Sequence, residues 1–505
     1  MGYNPKLVKR LRQQQSRGLG VGLIVGCLLL SMTYVTVFRT DIDLLSILNS
    51  SPPSSPIIAA PTDPPAVANM TWFRQLDDED GNQPQNGQSA AAPSVKQQHL
   101  PSTTERADVV ARRRSKPLCD LSEYRTDVCD MEGDIRIVGK GSSTVMLVPP
   151  NGSSGTSESW EVKPYARKGD RTVTRNVRKV KVKSLQEHEE APVCSLHHTV
   201  PGVLFASAGY CGNIFHDVAD VLLPLFITSR GFDGNVQFLV ANNQSWWFYK
   251  YHHILQKLSS HELINYDHDD RVHCFKHVIV GLRADRDLMV DASRSAQGLS
   301  MLNFVKFLRS AYSLERDRPW TAGGPPGRKP RLLFIARGRS RRFVNLDEIV
   351  RLAEQVGFEV VMAEPSFMDV GRFAGTVNSC DVMVGVHGAG LTNMVFLPTN
   401  AVLIQVVPLA KLDWIAANYY AEPAKGMKLR YLQYEISEEE STLIELYPRD
   451  HKVFKDPDSI HKQGWKKMGE VYLRKQNVKL NVNRFRPVLE KALQLLKEKA
   501  EHTRE

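Results

Sequence analysis

The run from Gly18 to Phe38 (GLGVGLIVGCLLLSMTYVTVF) carries no charged side chain. A helix needs about 20 predominantly apolar residues to cross a hydrocarbon core, so this run predicts a membrane span. Lys6, Lys9, Arg10, Arg12 and Arg17 precede it with no acid among them, and Arg39, Asp41 and Asp43 follow. An excess of Lys and Arg stays on the cytoplasmic side, which predicts a cytoplasmic tail over 1–17, a signal anchor over 18–38 and a lumenal remainder. A cleaved signal peptide has a core of roughly 7–15 residues, shorter than this one. From 39 to 116 the pattern changes to Ser, Pro, Gln, Asn and Ala without a sustained apolar period (SPPSSPIIAAPTDPP, GNQPQNGQSAAAPS). Such a segment buries too little surface to offset its ordering entropy and predicts a disordered stem.

Regular periodicity begins near Cys119. DIRIVGKG, TVMLVPP, VRKVKVKS, VPGVLFAS, NVQFLVA and HVIVGL read as strands, and Asn213–Leu223 and Ser245–Leu258 as helices. The alternating charges of VRKVKVKS suit the solvated side of an edge strand. ERDRPWTAGGPPGRKP interrupts the pattern and reads as a linker between an amino-half α/β domain (117–320) and a carboxyl-half domain (330–480), with a terminal helix over 481–505. The carboxyl half alternates strictly: strand RLLFIA, helix NLDEIVRLAEQVG with Asn345 and Glu348 placed as a capping box, and strand FEVVMA. Helix FMDVGRFAGTVNSC, strand DVMVGV, a Gly-rich loop entering a helix and strand AVLIQVVP come next. Apolar strands separated by helices indicate a parallel sheet covered on both faces.

Composition narrows the partners. The formal net charge is +10, but 55 acidic residues accompany the 65 basic ones, which does not mark a dedicated nucleic-acid binder. Cys27 falls inside the apolar run; the other six cysteines include no CxxC pair and suit disulfides in an oxidising lumen. Cys119 and Cys129 are close enough in sequence to predict one bridge; the pairing of Cys194, Cys211, Cys274 and Cys380 stays open. Sequons at Asn69, Asn151 and Asn243 agree with a lumenal location.

Ligands of parallel sheets bind outside the carboxyl ends of the strands, which places RGRSRR and HGAGLTN at one mouth. Gly388 and Gly390 allow close backbone approach, and a helix start after them offers amide hydrogens to a diphosphate. Arg337 and Arg341 supply fork-shaped cations for the same group. Either motif alone fits an ordinary tight turn or a solvated loop; together at one sheet end they favour a nucleotide site.

DVMVGVHGAGLTNMVFLP, GYCGNIFHDVADVLLPLF and the spacing of Arg337, Ser340, Arg341 and Asn345 resemble glycosyltransferase family 61, within it the plant branch that decorates xylan. RYLQYEISEEESTL and DPDSIHKQGW are similar to the same branch. The resemblance implies a GT-B-like architecture of two facing Rossmann-like domains and inversion at the anomeric carbon. Donor contacts would come from Arg337, Ser340, Arg341, Asn345 and the run His387, Gly388, Ala389, Gly390, Leu391, Thr392 and Asn393. The implied donor is UDP-xylose or UDP-arabinofuranose, and the implied acceptor is xylan. The expected address is the Golgi membrane, in company with other xylan-synthesis enzymes. Four Asp-x-Asp tripeptides occur, of which Asp285/Asp287 alone follows an apolar strand in a plausible place; Arg and helix-start donors can stabilise a leaving diphosphate without metal, so no essential ion is expected.

In GNIFHDVADVLLPLF, Asn213, His216 and Asp220 share a helical stripe, opposite Ile214, Val218, Leu222 and Leu225. On an arbitrary helix these would be a cap, a half-buried His and a surface Asp. The match to the family pattern N-x-x-H-x-x-x-D makes His216 the expected base, Asp220 its partner, Asn213 an acceptor-side residue and Asp217 the reserve candidate. The alternatives are another family-61 activity, such as N-glycan xylosyl or protein N-acetylglucosaminyl transfer, or a non-catalytic polysaccharide-binding subunit.

Overall fold

The computed structural model describes residues 118–150, 158–295, 297–320 and 328–498. The expected tail, anchor and stem, the sequons at Asn69 and Asn151 and the centre of the expected linker lie outside these residues. No helix among the described residues is long and apolar enough to cross a membrane.

The amino half contributes β1 (Cys119–Asp120), β2 (Val128–Val138), β3 (Thr144–Val148), β4 (Ser159–Val162), β5 (Val180–Ser184), β6 (Leu196–His197), β7 (Gly202–Ala206), β8 (Gln237–Ala241), β9 (Ile264–Asn265) and β10 (Val272–Val280). They form a sheet in the order β4-β5-β3-β2-β10-β7-β8-β9, with β1 beside β2 and β6 beside β10. β10, β7, β8 and β9 run parallel. β2 is antiparallel to both β10 and β3, and β4 to β5. Burial explains the mixture. Every residue of β7 and β8 is buried, as in a strand covered on both faces, whereas β2 alternates and leaves Glu132 and Gly133 exposed. The charged strand β5 is not an edge: β4 covers it, although Lys181 still points to solvent.

The carboxyl half contributes β11 (Arg331–Ile335), β12 (Glu359–Ala363), β13 (Val382–Val386), β14 (Val402–Val407) and β15 (Arg430–Glu435). All pairs are parallel, in the order β12-β11-β13-β14-β15. The order reverses between β11 and β13, and at such a switch point the connections diverge and open a crevice beyond the strand ends. The helix Leu346–Val356 buries Ile349, Leu352 and Ala353 and closes at Gly357, whose φ of 116° suits glycine. Its start departs from the expected capping box. Asn345 donates through Nδ2 to Glu348 Oε2 and to the Leu480 carbonyl, each at 2.8 Å, and so ties this helix to the segment leading into the terminal helix Val482–Lys497.

Both ends of the expected linker are pinned by one carboxylate. Asp381, fully buried at the start of β13, accepts the backbone N–H groups of Trp320 and Arg331 at 2.7 Å and faces the Arg316 guanidinium. A single apolar cluster continues from the amino-half sheet through the helix Met301–Ala311 to Phe373, Val395 and Tyr420 of the carboxyl half. The halves therefore share a core.

Cys119 and Cys129 face each other across β1 and β2 and are bonded, as their spacing led one to expect. Cys194 pairs with Cys274, while Cys211 and Cys380 remain buried thiols. The bonds close chains of 10 and 80 residues. Loop-closure entropy scales with the logarithm of length, so removing Cys194–Cys274 should cost about 4.5 kcal/mol and removing Cys119–Cys129 about 2.7 kcal/mol. Chemical unfolding of the two Cys→Ser pairs measures this order. A larger loss from the short loop would contradict it.

Candidate active site

The amino-half side of the site begins where β7 ends. Asn213 caps the next helix: its Oδ1 accepts from the Phe215 N–H at 3.0 Å. The helix is α-helical over Ile214–His216, widens to π geometry over Asp217–Leu222 and returns to α over Leu223–Ser229. Widened turns of this kind are frequent at functional sites. His216 Nδ1 lies 2.9 Å from Asp220 Oδ2, with 1% and 0% of the two side chains exposed.

Asp220 is the centre of a larger network. Arg167 reaches it through Nε at 2.8 Å and Nη2 at 2.9 Å, Arg125 through Nη2 at 2.9 Å, and Tyr165 donates its hydroxyl at 3.0 Å. The same two arginines contact Asp287 Oδ1 at 2.7 and 2.8 Å. Two buried cations thus meet two buried anions. Burial alone would raise the Asp220 pKa, but Arg167, His216 and Arg125 outweigh it and hold the carboxyl far below the usual range. An ionised Asp220 can only accept, so His216 carries its proton on Nδ1 and keeps Nε2 as the basic nitrogen. The ring is flanked by Tyr210 at 4.5 Å and Phe215 at 5.2 Å.

Asp217 has a different task from the one its neighbourhood suggested. Its carboxylate accepts from the Gly212 N–H and Trp247 Nε1 at 2.7 Å, from the Tyr251 hydroxyl at 2.6 Å and from Lys250 Nζ at 3.1 Å. Four donors occupy its lone pairs, which fits an anchor between two helices and corrects its reading as a reserve base. The predicted helix over Ser245–Leu258 is broken at Tyr251, the residue that delivers one of these donors. Asn243 sits half-buried at the carboxyl end of β8.

Of the Asp-x-Asp pair considered for a metal, Asp287 belongs to the arginine network. Asp285 accepts from the Asp291 N–H and pairs with Arg294. Among the described residues no group of His, Cys, Asp and Glu is arranged to hold an ion.

The carboxyl-half side lies at the switch point. Arg341, buried and in the left-handed region at φ 54°, donates its N–H to the Gln476 carbonyl at 2.8 Å and Nη1 to the His387 carbonyl at 3.0 Å. Arg337 Nε donates to the Ser340 carbonyl at 3.0 Å. Both guanidiniums converge on Gly388, whose φ is 141°: a Cβ there would lie 2.5 Å from Arg341 Nη1 and 3.2 Å from Arg337 Nη1. At Gly390 a Cβ would meet Ile335 at 3.4 Å and Arg337 at 3.6 Å, ordinary contacts. Within the protein, Gly388 is thus the more tightly enclosed of the two glycines.

Beyond Gly388 the chain enters a 3₁₀ segment, Ala389–Phe396, rather than an α-helix. Ala389 and Gly390 are half-exposed, while Leu391, Thr392 and Asn393 are buried. Asn393 Nδ2 closes the turn on the Gly390 carbonyl at 2.9 Å. Ser340 and Asn345 are half-buried, the first accepting from Arg337 through its carbonyl and the second tied to Glu348 and Leu480. His387 is held by Gln405 Nε2 at 2.7 Å from its Nδ1, and Gln405 in turn accepts the Tyr431 hydroxyl at 2.8 Å.

Phe215 and Tyr420 join the two sides. The Tyr420 hydroxyl donates to the Gly388 carbonyl at 2.8 Å, and its ring lies 5.5 Å from His387 and 6.3 Å from Phe215. The turn Ile214–His216 packs directly on Ala389–Phe396. Packing thus links the turn that carries His216 to the segment that begins at Gly388, through Phe215 and Tyr420. Sequence reasoning missed Arg125, Tyr165, Arg167, Gln405, Tyr420 and Gln476, none of which lies in a recognisable motif.

Two arginines gathered on a glycine turn at the switch point of a parallel sheet define an α/β protein with a cationic strand-end turn. The family model described as Glycosyltransferase 61 matches residues 213–404, from the Asn213 cap into β14. The chain is 50% identical over 380 residues to Alpha-1,3-arabinosyltransferase XAT3 of Oryza sativa subsp. japonica, covering 75% of this chain and 65% of the relative. It is 46% identical to Beta-1,2-xylosyltransferase XYXT1 of the same organism, covering 75% of this chain and 84% of the relative. It is 38% identical to the beta-1,2-xylosyltransferase XAX1, also from that organism, covering 98% and 96%. The alignment thus spans just under two thirds of the length of the first of these relatives. The chain belongs to glycosyltransferase family 61.

The glycines separate two outcomes. Gly388→Ala should weaken binding of uridine diphosphate by about tenfold or more, because the added carbon strains a backbone at φ 141° and pushes the Arg341 guanidinium aside. Gly390→Ala should bind within a few-fold of the parent. Calorimetric titration of both variants checks this, and equal affinities would place the phosphate elsewhere.

Proposed function

We propose that this chain is an inverting pentosyltransferase, moving xylose or arabinofuranose from a UDP-sugar onto the xylan backbone. Several strands of support converge. The relatives' names specify arabinosyl and xylosyl transfer. The observation that supports the chemistry is a buried imidazole–carboxylate pair on a turn that packs against the two-arginine glycine segment. The arrangement suits a GT-B-like enzyme with the donor on the carboxyl half and the acceptor on the amino half. The charge run before Gly18 supports a Golgi membrane anchor with this domain in the lumen.

In the reaction the acceptor hydroxyl attacks the anomeric carbon from the face opposite the diphosphate. Its oxygen–carbon bond forms as the carbon–oxygen bond to the diphosphate breaks, and the electron pair leaves with uridine diphosphate. His216 Nε2 takes the hydroxyl proton, and Asp220 stabilises the resulting imidazolium through Nδ1. Arg337 and Arg341 meet the charge that grows on the leaving diphosphate without requiring an ion.

Assay of the purified lumenal domain against UDP-xylose, UDP-arabinofuranose and other nucleotide sugars, with xylo-oligosaccharide acceptors, tests the reading. Pentose transfer should be found, and His216→Ala should lower turnover at least ~10²-fold with donor affinity nearly intact. Transfer of another sugar class, or a His216→Ala variant with parental turnover, would overturn it.

A further inference from the structure

A second concave site lies on the far side of the amino half. Residues just before the amino ends of strands β8 and β9, Arg230, Gly231, Asp233, Gly234 and Ser260, line a groove of about 840 Å³. The long helix spans both places: His216 is in its first turn, and Arg230 follows its last residue, Ser229. At about 1.5 Å per residue, that helix sets the groove roughly 20 Å from the base. The groove therefore does not belong to the site already described.

Its lining is built from both kinds of hydrogen-bonding group. Lys257 and Lys306 stand on the neighbouring helices His252–Leu258 and Met301–Ala311, exposed and with no ion pair to a described residue. Asp233, paired with Arg230 at 3.1 Å, supplies an acceptor; the exposed amide of Gln256 offers both a donor and an acceptor, and Asn303, whose Oδ1 caps its helix by accepting from Ser300, offers its Nδ2 as a donor. The buried rings of Phe226 and Phe307, 5.1 Å apart, form an apolar floor. Interspersed donors and acceptors over an apolar floor match a ligand whose hydroxyls do both and whose C–H faces are apolar. The cations here are not stacked into one anion cradle: Arg230 and Lys257 stand at the ends of two helices, where cations favour the dipole. The volume falls in the usual range for ligand sites, about 300–1,000 Å³.

We propose that this groove is a second glycan-binding site, holding a remote stretch of the same polysaccharide chain whose acceptor unit occupies the crevice. The inference rests on the xylan reading for the identity of the chain. Two sites on one polymer raise its apparent affinity by effective concentration, with no benefit to an acceptor too short to reach both.

The test is a Lys257→Ala/Lys306→Ala variant of the lumenal domain, measured two ways. Affinity gel electrophoresis reads binding to polymeric xylan, and kinetics on a short xylo-oligosaccharide read the crevice alone. Polymer affinity should fall about tenfold, the loss of one or two charge-assisted hydrogen bonds, with short-acceptor kcat/KM unchanged. Unchanged polymer binding, an equal fall in both measurements, or binding to anionic phospholipid vesicles in place of xylan would overturn it. If the parent domain fails to turn over the short acceptor, the pentosyltransferase reading fails, while the gel still reads the groove without turnover.

Discussion

A carboxylate shut away from water sits where the amino-half sheet meets the helix that carries His216. Asp220 is surrounded by Arg125, Arg167, Tyr165 and His216, and these contacts come from three separate stretches of chain. Arg125 lies between β1 and β2, and Tyr165 and Arg167 follow β4. A buried charge is tolerated only when partners compensate its lost hydration, and removing one partner from such a set costs about 3–5 kcal/mol. The cluster therefore fixes three segments at once. It also holds the imidazole in one tautomer facing Tyr210, next to the π-widened turn.

From that point order passes to the donor side through contacts rather than through a linker. Phe215 leans on Tyr419 and Tyr420, and Tyr420 bonds the carbonyl of Gly388, on which the two arginines converge. A core shared between the halves makes this alignment a property of packing. Asp217 works one helical step away in a complementary way, drawing Trp247, Lys250 and Tyr251 against the same helix. Two nearby acids on one helix thus divide into a tie to the sheet and a tie to the next helix.

Much of this was legible in the order of residues. β7, β8, β11, β13 and β14 declare themselves because strands covered on both faces need unbroken apolar runs. The mouth declares itself because glycines and arginines follow two of those strands. The arginine cluster was not legible: its members stand 53 and 95 residues from Asp220, and nothing local distinguishes Arg125 or Arg167 from a solvated arginine. Spacing did set His216 beside Asp220, but it could not choose which donors would hold Asp217 or which side chains would press on Gly388. Those choices depend on which neighbours the fold delivers. β5 shows the same limit, since its alternating charges suit an edge until β4 arrives beside it.

The central claim is that Asp220 and His216 act as one unit, the carboxylate working only through the ring. A double-variant cycle measures this directly, using turnover of the folded domain on a xylo-oligosaccharide with uridine diphosphate affinity as the control for folding. Groups that act as a unit are strongly non-additive. Asp220→Asn should therefore slow turnover on its own, and Asp220→Asn/His216→Ala should be no slower than His216→Ala alone, with donor affinity retained throughout. A double variant slowed by the product of the two single effects would contradict the coupling and leave Asp220 with a purely structural role.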